Sequence, residues 1–353
     1  MRHPPPTADA RRVQRVTVTA RAPWRGVASL RGVTGERLYD LQRPAARVAV
    51  ALFALLALPA AAVLIASEDG SGNDRAPSAD FPWDHVGRCG EFSALYLGNR
   101  WVLTAGHVGA TAVAFGDQLF RPVAGSNTAL RNEDGSASDL VAFRIDAADG
   151  PPLGLLPLAR DRPEDGEQLF LVGRGHDRSE ALEWRDASDR ALRGWHAAPT
   201  RSMRWGTNRL DGDLAELEFR GTTTRVLAMG FSAPDDATRT DFEAQAVAGD
   251  SGGAVFVRRD DRFELAGILI VRTAHSGQPE GAALFGNRSF AADLSAYRAQ
   301  LVALTRPDCS DERDNDSDGW TDHPDDPGCS SPSHDSEFEP SSDGADSPAQ
   351  KID

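Results

Sequence analysis

Residues 249–253 read Gly249-Asp250-Ser251-Gly252-Gly253, and this pentapeptide carries the strongest chemical information in the chain. A serine set among glycines lies on a backbone free to turn sharply, because glycine adopts positive φ without a Cβ clash. Such a turn presents the hydroxyl and aims neighbouring N–H groups at one point. Ser251 is therefore the candidate nucleophile, and the N–H groups of Gly249 and Ser251 are candidate oxyanion donors. A serine nucleophile needs a base to take its proton and a carboxylate to orient that base. Upstream, Trp101-Val102-Leu103-Thr104-Ala105-Gly106-His107 is an apolar strand ending in small residues, which sets the His107 imidazole at a cleft edge. Ser138-Asp139-Leu140-Val141-Ala142-Phe143 opens a second apolar strand with a carboxylate. Asp139 can accept the second imidazole N–H and fix the tautomer. Asp134 lies close by, but no strand pattern follows it.

Around these motifs the chain alternates short apolar runs with turn residues. Residues 101–105, 111–115, 140–145, 168–172, 226–231, 254–257 and 265–271 read as strands. Many short strands with Gly- and Pro-rich connections indicate an all-β sandwich or barrel. One helix closes the region: Asp293 caps it, Leu294, Tyr297, Leu301 and Leu304 recur at helical spacing, and Pro307 stops it. The pentapeptide also satisfies G-x-S-x-G, the nucleophile elbow of α/β-hydrolases. Those chains run serine, acid, histidine and alternate strands with helices; this one runs the reverse way with few helices.

The three motifs together resemble those of trypsin-like serine proteases. WVLTAGH looks like the family's histidine motif, DLVAF its aspartate motif and GDSGGAV its serine motif, in the family order. The stretches GRCGEFSALYLGNRWVLTAGHV, RWGTN and FEAQAVAGDSGGAVF resemble an exported bacterial branch of that family. The resemblance spans residues 81–305, about two thirds of the chain. It implies two packed six-stranded β-barrels of chymotrypsin type with a cleft between them, and a serine endopeptidase acting on protein or peptide substrates. It assigns His107, Asp139 and Ser251 as the catalytic triad, with no cofactor for the chemistry. Counting back from the serine, it puts Gln245 at the base of the substrate pocket, where enzymes that cut after Lys or Arg carry Asp. Arg272 and His275 suggest an acidic preference only weakly, and a solvated loop is the expectation for both.

The departures are specific. Val108 stands where the family has a cysteine after the histidine motif, so Cys89 lacks that partner, and Val247 replaces a second cysteine. No Ile-Val-Gly-Gly start follows the linker, so insertion of a new N-terminus beside Asp250 is not expected, and Asp250 is left to pair with an arginine. The backbone-binding Ser-Trp-Gly is replaced by Ile270-Val271-Arg272. These departures keep a second reading open: a catalytically inactive, protease-like binding module at the cell surface.

The flanks differ from this middle. Residues 1–47 hold ten arginines against Asp9, Glu36 and Asp40 and read as disordered. Residues 48–66 are an uncharged apolar stretch, either a membrane anchor or the h-region of a signal cut after Ala62. Arg43 and Arg47 before it place the remainder outside the cytoplasm in both cases. A 47-residue leader is long for a signal, and becomes ordinary if translation starts downstream, for instance at Val33. Residues 67–80 form a polar linker. The formal net charge of −15 argues against a nucleic-acid partner.

Residues 308–339 form an acidic unit, and residues 340–353 read as a disordered end. Asp314, Asp316, Asp318, Gly319 and Asp322 fit D-x-D-x-D-G-x-x-D, with Trp320 offering a carbonyl and Asp325 placed where an EF-hand loop closes. The pattern resembles the calcium loops of EF-hands and thrombospondin type 3 repeats, and implies a structural Ca2+. Cys309 and Cys329 flank the loop and suit a disulfide in an exported protein.

Overall fold

A computed structural model of the 353-residue chain describes residues 14–17, 63–67, 69–146, 150–212, 215–332, 334 and 336–337. The first, seven-stranded sheet runs in the order Gln118–Phe120, Val113–Phe115, Val86–Cys89, Phe92–Gly98, Trp101–Ala105, Ala137–Arg144, Thr128–Arg131. The second, eight-stranded sheet runs in the order Gln14–Thr17, Ala215–Phe219, Thr222–Gly230, Arg288–Asp293, Arg262–Arg272, Ala254–Arg259, Gln168–Gly173, Arg204–Arg209. The expected all-β fold with one C-terminal helix is what forms, with seven and eight strands in place of six and six.

One core joins the two sheets. Leu95, Leu103 and Leu140 of the first pack with Val226, Phe256, Ile268 and Phe290 of the second, all essentially inaccessible. Each such side chain contributes roughly 1.5–3 kcal/mol on burial. The closing helix, Arg298–Thr305, follows a single 3-10 turn whose N-cap is Asp293, accepting from the Ser295 N–H. Leu294, Tyr297 and Leu301 face the core, and the Tyr297 hydroxyl donates to Asn132 Oδ1 at 2.6 Å.

A strand forms in each segment read as one from apolar alternation, shortened within 111–115 to Val113–Phe115. A long hairpin, His176–Arg185 with Ala191–Arg201, does not announce itself, because its half-exposed faces carry Arg, Glu and Asp. Its turn is held by the Asp186 carboxylate, which accepts from the N–H groups of Ser188 and Arg190.

Residues 48–62 of the expected apolar span, most of residues 1–47 and residues 340–353 lie outside the described residues. Within residues 1–47, Gln14–Thr17 is a strand that pairs parallel with Ala215–Glu218. The last four residues of the span belong to the folded body. Val63, Leu64 and Ile65 are fully buried, and Leu64–Ile65 pairs antiparallel with Ala244–Gln245. Among the described residues, no helix is long and apolar enough to cross a membrane.

Candidate active site

The strand Trp101–Ala105 delivers His107 through Ala105 and Gly106, and the neighbouring strand Ala137–Arg144 delivers Asp139. The two residues lock by two bonds. The His107 backbone N–H donates to Asp139 Oδ1 at 2.7 Å, and His107 Nδ1 lies 2.7 Å from Asp139 Oδ2. Gly106 permits this closeness, since a Cβ there would sit 3.0 Å from Asp139 Oδ1. Asp139 is 3% exposed, and its own N–H donates to Thr224 Oγ1 at 2.8 Å, tying it to the second sheet. The imidazole stands edge-on between the rings of Phe92 and Phe219, at 6.3 and 5.3 Å.

The 249–253 turn brings Ser251 to the same cleft. Gly249 and Gly252 both have positive φ, +98° and +83°. Gly252 is obligatory, because a Cβ would fall 1.9 Å from the Ser93 carbonyl oxygen. The turn closes with Gly253 N–H donating to Asp250 O at 2.8 Å. Among the described residues, the N–H groups of Gly249 and Ser251 are taken by no other protein group. The Ser251 hydroxyl donates to the Ile270 carbonyl at 3.4 Å, while His107 bonds Asp139. His107, Ser251, Phe92, Phe219, residues 246–250 and residues 269–272 line one cleft of about 330 Å³.

Asp250 turns away from the cleft and is fully buried. Its carboxylate accepts from the Gly175 N–H and the Val247 N–H, both at 2.7 Å, and from the Val63 N–H. The arginine partner expected from the sequence is not used: no guanidinium lies within ion-pair reach among the described residues. Burial pushes the Asp250 carboxyl up to about 7, against the pull of these N–H donors. Gly173 and Gly175 make room for it, since a Cβ on either would overlap its carboxylate. Neither glycine carried a motif that would have revealed this role.

Gln245 does not reach the cleft. It is fully buried in the short strand beside Leu64, and both its amide atoms lack partners. Arg272, expected in a solvated loop, ends the strand Arg262–Arg272 and lines the cleft. Cys89 is a free, buried thiol whose pKa burial raises.

In the acidic unit, Cys309 and Cys329 form the expected disulfide. The carboxylates of Asp314, Asp316 and Asp318 gather within 4.8 Å of one another. Gly319, at φ +97°, makes the turn, and Asp314 accepts from the N–H groups of Ser317 and Gly319. Trp320 is exposed, and Asp322 is held by Glu312 N–H through one oxygen while its other oxygen has no partner. Asp325 is exposed and outside the cluster. Its neighbour Asp326 points inward instead, 2% exposed, with Oδ2 unpartnered and Oδ1 accepting the Gly328 N–H at 2.6 Å. Its carboxylate lies within 4.8 Å of that of the fully buried Glu337, which accepts from the N–H groups of Asn315 and Asp322. The unit is docked to the body by Glu312, which meets Arg298, Arg160 and Arg306.

No family model matches the chain, and no curated protein does. Among solved structures it is similar to mouse neuropsin, a serine protease, at 17% identity and TM-score 0.40, over 65% of this chain and 97% of that one. It is similar to kallikrein-related peptidase 10 in complex with Zn2+ at 16% identity and TM-score 0.39, over 65% and 98%. It is similar to Rv3671c of M. tuberculosis H37Rv at 15% identity and TM-score 0.33, over 66% and 95%.

Proposed function

We propose that the chain is an exported serine endopeptidase. The observation that carries this reading is the doubly bonded His107–Asp139 pair opening on the same cleft as Ser251. Asp139 holds Nδ1 protonated, which leaves Nε2 as the base. Nε2 takes the Ser251 proton, the serine oxygen attacks the scissile carbonyl, and the oxyanion is met by the free N–H groups of Gly249 and Ser251. His107 then returns the proton to the leaving amine, and water hydrolyses the acyl-enzyme by the same route. No cofactor enters these steps.

The hydrogen bond from Ser251 to Ile270 O favours the second reading, a protease-like module that binds without turnover. A fluorophosphonate probe separates the two. Labelling lost in both Ser251→Ala and His107→Ala supports the enzyme. An unlabelled wild type, matured at its N-terminus, leaves the binding module.

For the acidic unit the reading is a structural Ca2+ held by Asp314, Asp316 and Asp318, with the buried Asp326, whose charge bears on Asp316, as the closing acid in place of Asp325. Three carboxylates gathered within 4.8 Å, with a buried fourth that keeps one oxygen unpartnered, suit a hard cation. Mass spectrometry with and without chelator tests it; no bound calcium at millimolar levels sinks it.

A further inference from the structure

Two arginines line the cleft beside Ser251, and among the described residues lining it Asp250 is the one acid. The Asp250 carboxylate is committed to backbone N–H groups and is inaccessible to solvent. Arg220 lies over the Phe219 ring, 5.3 Å from its centre. Arg272 donates one hydrogen bond, from Nη1 to the Ala282 carbonyl at 3.1 Å. Among the described residues, neither guanidinium has a carboxylate within ion-pair distance. Burial lowers the Arg272 pKa, with Asp250 pulling the other way; a guanidinium stays charged in proteins. The remaining wall is apolar: Ala246, Leu269, Ile270 and Val271.

A half-buried cation without an ion-pair partner is costly, and an anionic ligand group lowers that cost. Guanidinium suits carboxylate best, because its planar N–H groups meet both oxygens at once. Four of the five N–H groups of Arg272 are left for a ligand by the bond to Ala282. The apolar wall accommodates the methylenes of a short acidic side chain. A lysine or arginine side chain entering here would meet like charge. The protein as a whole carries −15, so this local positive site opposes its surroundings and is not a by-product of composition.

Resting on the endopeptidase reading, we infer that Arg272, assisted by Arg220, selects an acidic residue, Asp or Glu, immediately before the bond that is cut.

Two measurements test this separately from catalysis. In the first, peptides differing only in the residue before the scissile bond (Glu, Asp, Gln, Leu, Lys) are compared by kcat/KM. Glu and Asp are expected to exceed Gln and Leu by about ten- to a hundredfold, the worth of charge-assisted hydrogen bonds at a shielded site. Arg272→Glu is expected to reverse the order toward Lys, a gain that a misfolded variant cannot show. In the second, fluorescence anisotropy follows Ser251→Ala binding to peptides that end in Glu or Gln. The Glu peptide is expected to bind about tenfold tighter, and Arg272→Ala in that background to abolish the difference. Equal binding of the two peptides, or a preference for Leu or Lys in the first assay, overturns the inference. Failure of fluorophosphonate labelling with the binding preference intact overturns the endopeptidase reading alone.

Discussion

The backbone N–H of Val63 is hydrogen-bonded to the buried carboxylate of Asp250, the residue immediately before Ser251. Val63 has φ +41°, a left-handed conformation that a β-branched side chain resists. Three alanines, Ala60 to Ala62, precede it, the small residues that a signal cut requires. A cut between Ala62 and Val63 removes the φ constraint and turns the amide N–H into an ammonium already beside its carboxylate. On the exported reading proposed above, the mature protein is therefore expected to begin at Val63. N-terminal sequencing of secreted material checks this, and a start at any other residue disproves it. A chain released at Val63 by a removable tag is expected to label with fluorophosphonate faster than one keeping residues 48–62, since the ion pair braces the turn that carries Ser251.

Titration of Asp250 follows from the same contact. In the uncut chain burial raises this carboxyl to about 7, whereas unfolded it ionises near its ordinary value of 3.8. Between those values the folded state holds a proton that the unfolded state has released. Stability of the uncut chain therefore falls as pH rises through that window and levels off above it. Urea midpoints from pH 4.5 to 7.5 are expected to show this slope in wild type and to lose it in Asp250→Asn. In the chain that starts at Val63, the ammonium stabilises the charged carboxylate and the slope is expected to vanish as well.

The His107–Asp139 pair predicts a loss of rate with little loss of fold. Asp139→Asn presents an amide where Nδ1–H needs an acceptor, and selects the tautomer that leaves Nε2 protonated. A drop of about 10⁴ in kcat is expected, the scale of that substitution where such a triad operates. Thr224→Ala removes only the hydroxyl that accepts the Asp139 N–H. It leaves one buried donor unpaired, so a stability loss of about 1–3 kcal/mol accompanies a milder rate effect. Equal rates for Asp139→Asn and wild type would remove Asp139 from the mechanism.

The residues around Ser251 and His107 were legible because their chemistry fixes residue types locally: glycines at forced turns, small residues before the imidazole, an acid heading a strand. What escaped was set by contacts distant in the chain. Residues 63–66 read as the end of an apolar span, because a strand buried on both faces has the same composition as a membrane segment. Gly173 and Gly175 had no local pattern, since the group that requires them lies at position 250. Gln245 was placed by counting along a template, and its strand with Leu64 carries the side chain into the core instead. Arg272 looked like a loop residue because the strand continues one residue beyond its last apolar position, Val271.

Docking of the acidic unit is expected to fail in acid. The Arg298 hydrogen bond, with Arg160 and Arg306 nearby, holds Glu312 down at about 2, below its ordinary value of 4.5. Here the folded state releases its proton first as pH rises. The contribution is full above about 4.5 and is lost as pH falls toward 2. Glu312 is partly solvated, so the contact is a modest one. Hydrogen exchange in residues 308–332 is expected to quicken below pH 4 before the β core opens, and Glu312→Gln to show the fast exchange at neutral pH. Unchanged exchange in that variant would put the docking elsewhere.

Asp326 separates a calcium-requiring unit from an acidic surface, because the sign of its mutation depends on the ion. Without calcium, its unpartnered Oδ2 and the nearby Glu337 carboxylate are like charges in a buried place. Asp326→Asn relieves that repulsion, so residues 308–332 are expected to exchange more slowly than wild type in chelator. With millimolar calcium the order is expected to invert, because the variant has lost an anionic ligand. Asp325→Asn, whose carboxylate is exposed and outside the cluster, is expected to change neither condition. If calcium protects both variants equally, Asp326 is not a ligand. An effect confined to Asp325→Asn would restore the closing position read from the loop spacing.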